Sequence, residues 1–353
     1  MKPAIFVVNP GSTSTKIALY IGEQCEFNEN LTHERSELNV YPSIPDQLEY
    51  RFRSIIHATA NAGIDLGQAD AYIGRGGLLK PLPSGTYTVN DNMLNDLQNE
   101  RYGSHACNLG AIIVHRLSLE YGKPAYIANP PVVDELMEEA RYTGIPAICR
   151  ASVFHALNHK AVALRAAEQL GLEYNKANFI VAHMGGGISV GAHRQGKVVD
   201  VNNALEEGPF SPERAGNIPT GQLVELCYSG RYTKSEMKKL LVGHGGIVAY
   251  TNSTDIKSLV SRAEQEKDLH ELLNAMIYRI SREICASAAA LSGQIDGVIL
   301  TGGLAHSEYI VSNIKKRVSF LAPVLVFPGE DELAALAASA KRVLEGSETC
   351  LTY

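Results

Sequence analysis

The sequence has no tryptophan, and its six cysteines lie far apart in the chain. They form no C-x-x-C pair, which argues against a zinc ribbon and against a dithiol redox motif. No stretch reaches the roughly 18 apolar residues that a membrane-spanning helix needs, and a strand-like run follows Met1 directly where a leader would stand. We therefore expect a cytoplasmic protein with reduced thiols and no membrane partner.

Positive charge is also scarce. The 32 lysines and arginines face 38 aspartates and glutamates, which gives a formal net charge of -6. Nucleic acids bind proteins that carry a basic patch or stripe, and none is evident in this sequence. The sequence therefore predicts no nucleic-acid partner, and any anionic ligand must be held by a local cluster of donors.

The length and the order of elements predict two α/β domains. At 353 residues, 45% of them hydrophobic, the chain can bury more than one core. Helical periodicity predicts helices over 108–120, over 153–171 behind a Ser152 N-cap, over 269–293 and over 331–344, with strands between them. Alternating strands and helices are typical of α/β domains, and we place the boundary near Arg150, which gives domains 1–150 and 151–330.

Two hairpins indicate an internal duplication. Residues 5–20 read as strand, turn and strand with Gly11 at the bend, and residues 179–201 repeat the pattern around the glycines of "HMGGG". A third glycine turn, Gly302 and Gly303, also follows an apolar strand. Neither a Walker A loop nor a dinucleotide fingerprint is present. Each turn alone favours a plain hairpin over a binding site, but three such turns in one chain, each after an apolar strand, favour phosphate cradles around a nucleotide.

Several charged residues are candidates for ligand contacts. Arg75 in "GRGGLL" and Arg214 in "GPFSPERAG" lie in glycine-rich loops, where binding groups are common. His155 and His159 are spaced i, i+4, but no third metal ligand is evident, so a catalytic or core role is preferred. His183 either faces a phosphate or ends a strand. Asp134 is placed at a helix start, where a carboxylate complements the helix dipole.

Six motifs in this order resemble those of the butyrate kinases in the acetate kinase (acetokinase) family: "NPGSTSTK", "RGGLL", "RASVFHALNHK", "VAHMGGGISV", "VNNALEEGPFSPERAG" and "LTGGLAH". The resemblance runs from about residue 5 to 344. It implies the fold of the actin, hexokinase and acetate kinase superfamily: two duplicated ribonuclease H-like (actin-like ATPase) domains with a nucleotide cleft between them, the first completed by 331–353. It also implies ATP/ADP and Mg²⁺ as cofactors and a homo-oligomer, a dimer or larger.

The resemblance also assigns roles to individual residues. The catalytic residues it implies are Arg75, Asp134, His155 and Arg214. Metal binding is implied for Asn9 and Glu332. The residues that it places at the nucleotide are Ser12, Ser14, Lys16, His183, Gly185, Gly186, Gly187, Asp255, Lys257, Gly302 and Gly303.

The implied substrate is a small carboxylic acid. The short chain, Gly186 in place of an asparagine, and "GGLAH" in place of a Gly-Glu pair distinguish the sequence from acetate kinase itself and agree with the butyrate kinases. The expected reaction is ATP + butanoate giving ADP + butanoyl phosphate by direct in-line transfer. The alternatives are a kinase of isobutyrate, acetate or propionate, and a non-enzymatic actin-like nucleotide switch, which has no evident need for Arg75, His155 and Arg214.

Overall fold

The computed structural model of the protein describes residues 2–353. Its strands are β1 Ala4–Pro10, β2 Ser14–Ile21, β3 Gln24–Thr32, β4 Ala71–Arg75, β5 Thr86–Thr88, β6 Ala125–Ala128, β7 Asn178–Met184, β8 Ile188–Arg194, β9 Lys197–Val201, β10 Gly297–Gly302, β11 Val324–Pro328 and β12 Leu351–Thr352. Its α-helices are α1 Arg35–Leu38, α2 Leu48–Asn61, α3 Asp91–Gln98, α4 Asn108–Tyr121, α5 Glu138–Arg141, α6 Ala156–Leu170, α7 Thr220–Tyr228, α8 Lys234–Leu241, α9 Ile247–Thr251, α10 Ile256–Arg262, α11 Lys267–Ser287, α12 Glu308–Val318 and α13 Glu332–Leu344.

A seven-stranded sheet organises the first of two structural units. This unit comprises Met1–Val133, Ala156–Asn158 and Asp331–Tyr353. The strand order is β12-β5-β6-β4-β1-β2-β3, with β1 antiparallel to β2 and parallel to β4. Almost every residue of β1 is buried, as its continuous apolar sequence requires of a strand covered on both faces.

The C-terminal helix α13 packs on this sheet. Leu336, Ala337 and Ala340 of α13 form one buried cluster with Ile5 and Val7 of β1. Asp331 caps the helix by accepting a hydrogen bond from the Ala334 N–H, which satisfies one of the amides that a helix start leaves unpaired. The last 23 residues therefore belong to the same unit as the first strands.

A five-stranded sheet organises the second unit, Asp134–His155 and His159–Glu330. Its strand order is β11-β10-β7-β8-β9, with β7, β8 and β9 antiparallel and β10 parallel to both β7 and β11. The first sheet contains the same arrangement in β6-β4-β1-β2-β3. The duplication expected from the two hairpins is thus confirmed at the level of topology. The predicted domains 1–150 and 151–330 stay predictions.

Two local predictions are wrong. The helix behind Ser152 begins at Ala156, because the carbonyl of Val153 accepts a hydrogen bond from the Ala204 N–H and the chain before Ala156 is irregular. Asp134 does not begin a helix either, since the next helical turn starts at Glu138. The predicted helices at 108–120 and 331–344 are confirmed to within one residue at each end. The helix predicted at 269–293 is confirmed as Lys267–Ser287, but its last part is a 3₁₀ turn that ends at Leu291.

Within residues 2–353, no helix combines the length and the apolar character needed to cross a bilayer.

Candidate functional site

The first glycine turn joins β1 to β2 at the carboxyl end of β1. The Gly11 N–H donates to the Ser14 carbonyl at 2.7 Å, which closes the turn. Ser12 is exposed and Ser14 is half-buried at the tip, and Lys16 is exposed on β2. All three predicted phosphate-binding side chains of this turn are therefore accessible to a ligand.

Three predicted site residues meet behind this turn. Asn9 at the end of β1 donates from Nδ2 to Glu332 Oε2 at 2.5 Å, and Arg75 at the end of β4 donates from Nη1 to Glu332 Oε1 at 2.5 Å. Asn9 and Glu332 are buried, whereas 24% of the Arg75 side chain is exposed. One carboxylate thus orients both an amide and a guanidinium.

Close packing fixes the position of Arg75. A Cβ atom on Gly110 of α4 would lie 2.3 Å from the Arg75 carbonyl, and one on Gly74 would lie 2.4 Å from the Gly110 carbonyl. Only glycine at both positions lets α4 approach β4 this closely. The two glycines therefore fix the position of the Arg75 backbone at the end of β4.

The predicted metal residues suit Mg²⁺. Mg²⁺ is bound through oxygen atoms, usually one or two carboxylates together with substrate phosphates and water. Glu332 offers a carboxylate, and Asn9 offers an amide oxygen beside it. Because Arg75 also binds this carboxylate, an ion there would share Glu332 with the arginine.

The second glycine turn, Gly185 to Gly187, follows β7 as the first turn follows β1. The Gly185 N–H donates to the Gly187 carbonyl at 2.9 Å. The loop around Arg214 holds the turn from the other side: the Ser211 hydroxyl and the Glu213 N–H both donate to the Gly186 carbonyl, at 2.6 and 3.2 Å. The predicted phosphate turn and a predicted catalytic loop are thus one structure.

Arg214 lies directly over Gly187. A Cβ atom at this glycine would fall 1.9 Å from Arg214 Nη1, so no other residue leaves room for the guanidinium. Nη1 donates to the Ala204 carbonyl at 2.7 Å. Burial lowers the pKa of Arg214, and the nearby Glu213 opposes this shift. The guanidinium remains a fixed cation beside the turn.

Two predicted histidines converge with a glutamate that the sequence did not single out. His155 Nε2 lies 3.2 Å from Glu330 Oε2, and His183 Nε2 lies 3.0 Å from Glu330 Oε1. The two rings stack with their centroids 4.4 Å apart. The three ligating atoms lie within 4.8 Å of one another, a set that has the chemistry of a metal site as well as that of an ion pair.

The two histidines together determine the charge of Glu330. Burial alone would raise the pKa of this carboxyl, but the hydrogen bonds from His155 and His183 hold the pKa well below its usual range. Glu330 therefore carries a negative charge at neutral pH and orients both rings. Its position two residues after β11, at the edge where β7 and β10 also end, is the signal that sequence reasoning missed.

His159 takes the core role that was one of its two expected options. Its Nε2 lies 2.9 Å from the Ser189 hydroxyl and its Nδ1 lies 3.3 Å from His193, whose other nitrogen contacts the Tyr174 hydroxyl at 2.9 Å. Burial lowers the pKa of His159 and of His193 well below the usual value. His155 and His159 thus face different partners and do not form a metal pair.

Asp134 is part of an ion pair in a loop. Its two carboxylate oxygens accept hydrogen bonds from Arg141 at 2.8 and 2.9 Å, and it also accepts from the Leu136 N–H. A role in complementing a helix dipole is therefore wrong. These contacts are those of a residue that positions an arginine, with Arg141 as the arginine.

The remaining predicted residues lie at two further positions of the second unit. Gly302 ends β10 with φ +86° and exchanges hydrogen bonds with Gly329, while Gly303 begins a short 3₁₀ turn. Asp255 caps α10 by accepting from the Ser258 N–H at 3.1 Å, and Lys257, two residues later, is exposed. Gly302 thus lies beside the second phosphate turn on the same sheet edge, whereas Asp255 and Lys257 lie on a helix.

Buried neutral histidines predict a loss of stability in acid. Burial and the nearby Arg51 lower the pKa of His33 to about 4, below the unfolded value of about 6.5. The folded state therefore binds fewer protons than the unfolded state, so stability is complete above pH 6.5 and falls as the pH approaches 4. We expect His33 to account for a loss of up to about 3 kcal/mol.

Urea unfolding at a series of pH values measures this effect. His33 Nε2 lies 2.8 Å from the Thr15 hydroxyl, and His33→Gln keeps a polar partner there without a titrating group. The variant is expected to lose less stability than the wild type over this pH range. Equal losses would show that His33 does not contribute.

Known proteins match this chain over its whole length. The Acetokinase family model matches residues 144–327. The chain is 48% identical over 355 residues to a probable butyrate kinase of Clostridium botulinum (strain Eklund 17B / Type B) and 47% identical over 357 residues to butyrate kinase 2 of Clostridium acetobutylicum, with 100% of both chains covered in each pair.

Solved structures share the fold at low sequence identity. The crystal structure of Porphyromonas gingivalis acetate kinase superposes with a TM-score of 0.78 at 19% identity, covering 97% of this chain and 100% of that one. A propionate kinase from Francisella tularensis gives 0.72 at 19% identity, with 96% and 98% covered. These likenesses show that the chain has the mixed α/β fold of these two kinases.

Proposed function

The chain belongs to the acetokinase family, and from this premise we propose that it is a short-chain fatty acid kinase that transfers the γ-phosphoryl group of ATP to the carboxylate of butyrate. The identity of 48% over the whole length of a probable butyrate kinase supports butyrate as the acceptor. The observation that carries the proposal is that Arg214 packs on the Gly185–Gly187 turn. His155 and His183 contact Glu330 at the same edge of the sheet.

The chemistry needs cations more than it needs a base. A carboxylic acid with a pKa near 4.3 is already ionised at neutral pH, so the nucleophile requires no deprotonation. The difficulty is to bring this anion to a polyphosphate while charge spreads over the oxygens of the transferring group. Fixed positive groups and N–H donors that face those oxygens supply most of the catalysis.

Each charged residue then has a role. Arg75, oriented by Glu332, binds the substrate carboxylate and the phosphoryl group. Arg214 and His155 contact the phosphoryl oxygens, and Glu330 keeps His155 in place. Asp134 positions Arg141 through two hydrogen bonds.

The two glycine turns would hold the nucleotide phosphates. Ser12, Ser14 and Lys16 serve in the first turn, and His183 with the glycines serves in the second. Gly302 and Gly303 line the adenosine side, with Asp255 and Lys257 reading the nucleoside. Glu332 and Asn9 would hold Mg²⁺, which supplies charge neutralisation on the phosphate oxygens.

Rates on acetate, propionate, butyrate and isobutyrate, measured side by side, test the acceptor. One methylene group changes binding in an apolar pocket by only about 1–3 kcal/mol, so activity on neighbouring acids is expected with butyrate preferred. A higher kcat/KM for isobutyrate or acetate than for butyrate would show that the enzyme is a kinase of that acid instead. Nucleotide binding without phosphorylation of any of these acids would favour an actin-like switch.

We also propose that the protein is a homo-oligomer, a dimer or larger. Helix α7 buries none of its residues, although it carries Leu223, Val224 and Leu226, and Val224 is 53% and Tyr228 88% exposed. Apolar surface of this kind on a folded chain is typical of a protein interface. A second copy of the chain is the occupant expected from the family resemblance.

Charged substitutions on α7 test this proposal. Val224→Glu and Tyr228→Glu together are expected to lower the mass measured by light scattering to that of one chain, because they place two carboxylates in the interface. Leu119→Glu, at an equally exposed apolar position in the first unit, is the control and leaves the mass unchanged. A wild-type protein with the mass of one chain, or a variant that stays assembled, would contradict the proposal.

A further inference from the structure

The guanidinium of Arg51 is completely buried beneath the first glycine turn. Arg51 lies on α2 and has an exposed fraction of 0%. Removing a cation from water is costly unless its donors are satisfied and its charge interacts with an anion. Within residues 2–353, none of its hydrogen-bond acceptors is a carboxylate, so the charge has no anionic partner in the protein.

The side chain instead binds the backbone of the turn. Nη1 donates to the Gly11 and Ser14 carbonyls at 2.9 and 3.0 Å, and Nη2 donates to the Ser12 carbonyl at 3.1 Å. Nη1 also donates to the Thr15 hydroxyl at 3.1 Å. Gln47, one turn earlier on α2, accepts from Nε and Nη2 and fixes the plane of the guanidinium.

These bonds determine which way the amides of the turn point. In a trans peptide the N–H points opposite to the carbonyl of the same unit, and no peptide bond among residues 2–353 is cis. Because the Gly11 and Ser12 carbonyls face Arg51, the N–H groups of Ser12 and Thr13 face the opposite side of the turn. Successive N–H groups directed to one side form an anion-binding concavity.

The charge of Arg51 favours an anion at the same place as the amides do. Because the protonated guanidinium is buried, it is weakly screened and attracts an anion on the opposite side of the turn. Burial lowers the pKa of Arg51 to about 10, so the cation persists at neutral pH. A carboxylate partner would have cancelled this field.

We propose that Arg51 is a positioning residue for the nucleotide: it turns the amides of the Ser12–Thr13 segment toward a phosphate and supplies the unpaired positive charge that stabilises it. The inference rests on the proposed function only in taking the bound anion to be a nucleotide phosphate. Lysine is not an equivalent replacement, because an ammonium group lacks the planar fork that reaches three carbonyls and Gln47 at once.

Equilibrium binding of MgATP and MgADP to the full chain is the test, with Arg51→Lys and Arg51→Ala as the variants. Both are expected to bind nucleotide roughly tenfold or more weakly, with KM for butyrate changed much less. Low-millimolar guanidinium chloride is expected to restore binding to Arg51→Ala, whereas sodium chloride at equal ionic strength does not. Arg53→Ala, exposed on the same helix, is the control and binds as the wild type does.

Several results would overturn the inference. The first is a folded Arg51→Lys variant whose nucleotide Kd is within twofold of the wild-type value. The second is an Arg53→Ala variant that loses as much nucleotide affinity as the Arg51 variants. The third is a wild-type chain that binds no nucleotide. If the Arg51 variants do not fold, Gln47→Met, which releases the bonds to Nε and Nη2, is expected to weaken nucleotide binding, and an unchanged Kd would count equally against the inference. A wild-type chain that binds MgATP but phosphorylates no acid would refute the proposed function and leave this inference standing.

Discussion

Arg214→Ala is expected to lower kcat by about a hundred- to a thousandfold while the fold survives. Arg214 lies on Gly187, and its guanidinium is a cation held directly against the second phosphate turn. Removing a preorganised donor to the transferring group affects the transition state more than the ground state, so KM for ATP is expected to change much less than kcat.

Two further variants make this result specific. Gly187→Ala keeps the arginine but places a methyl group where Nη1 lies, so it is expected to lower kcat as well. Arg262→Ala removes an exposed arginine that pairs with Glu266 on the surface and serves as the control. Steady-state kinetics together with circular dichroism measure the effect, and near wild-type turnover of folded Arg214→Ala would refute the assigned role.

Glu332→Gln is expected to lower activity about 10- to 100-fold and to raise the Mg²⁺ concentration needed for half-maximal rate. The carboxylate holds both Asn9 and Arg75, and the amide that replaces it carries no charge for Arg75 or for the ion. Both effects therefore arise from one group. Excess Mg²⁺ is expected to recover only part of the activity, because the orientation of Arg75 is not restored.

Glu345→Gln, at an exposed glutamate that directly follows the same helix, is the matched control. It is expected to leave the Mg²⁺ dependence and the rate unchanged. A Glu332→Gln enzyme with wild-type Mg²⁺ dependence would show that Glu332 does not serve the metal. If Glu332→Gln had wild-type activity at saturating Mg²⁺, Glu332 would not be needed to position Arg75 either.

The glycine turns were readable from the sequence because their signals are local. An apolar strand followed directly by glycine and small hydroxyl residues locates the turn of a hairpin to within a few residues. Both predicted hairpins were confirmed. The helix that begins at Ala156 was placed too early, since the N-cap pattern at Ser152 is local while the bond from Ala204 to Val153 is not.

Contacts between distant residues were the part that the sequence did not reveal. Asn9 and Glu332 are 323 positions apart and meet only because α13 returns to the first sheet. Arg51 reads as a polar position on an amphipathic helix, yet it lies under a turn about 40 positions away. Glu330 was missed for the same reason, because its partners His155 and His183 lie far from it in the sequence. Arg141 lies only seven positions from its partner Asp134, but the irregular segment between them has no pattern that predicts the pairing.

The central claim is that this chain makes an acyl phosphate, and trapping that product is its most direct test. Incubation of the wild-type protein with MgATP, butyrate and hydroxylamine is expected to give butyrohydroxamate together with an equal amount of ADP. Arg214→Ala under the same conditions is expected to give little of either. ADP formed without hydroxamate, or neither product with any short-chain acid, would contradict the assignment as a carboxylate kinase.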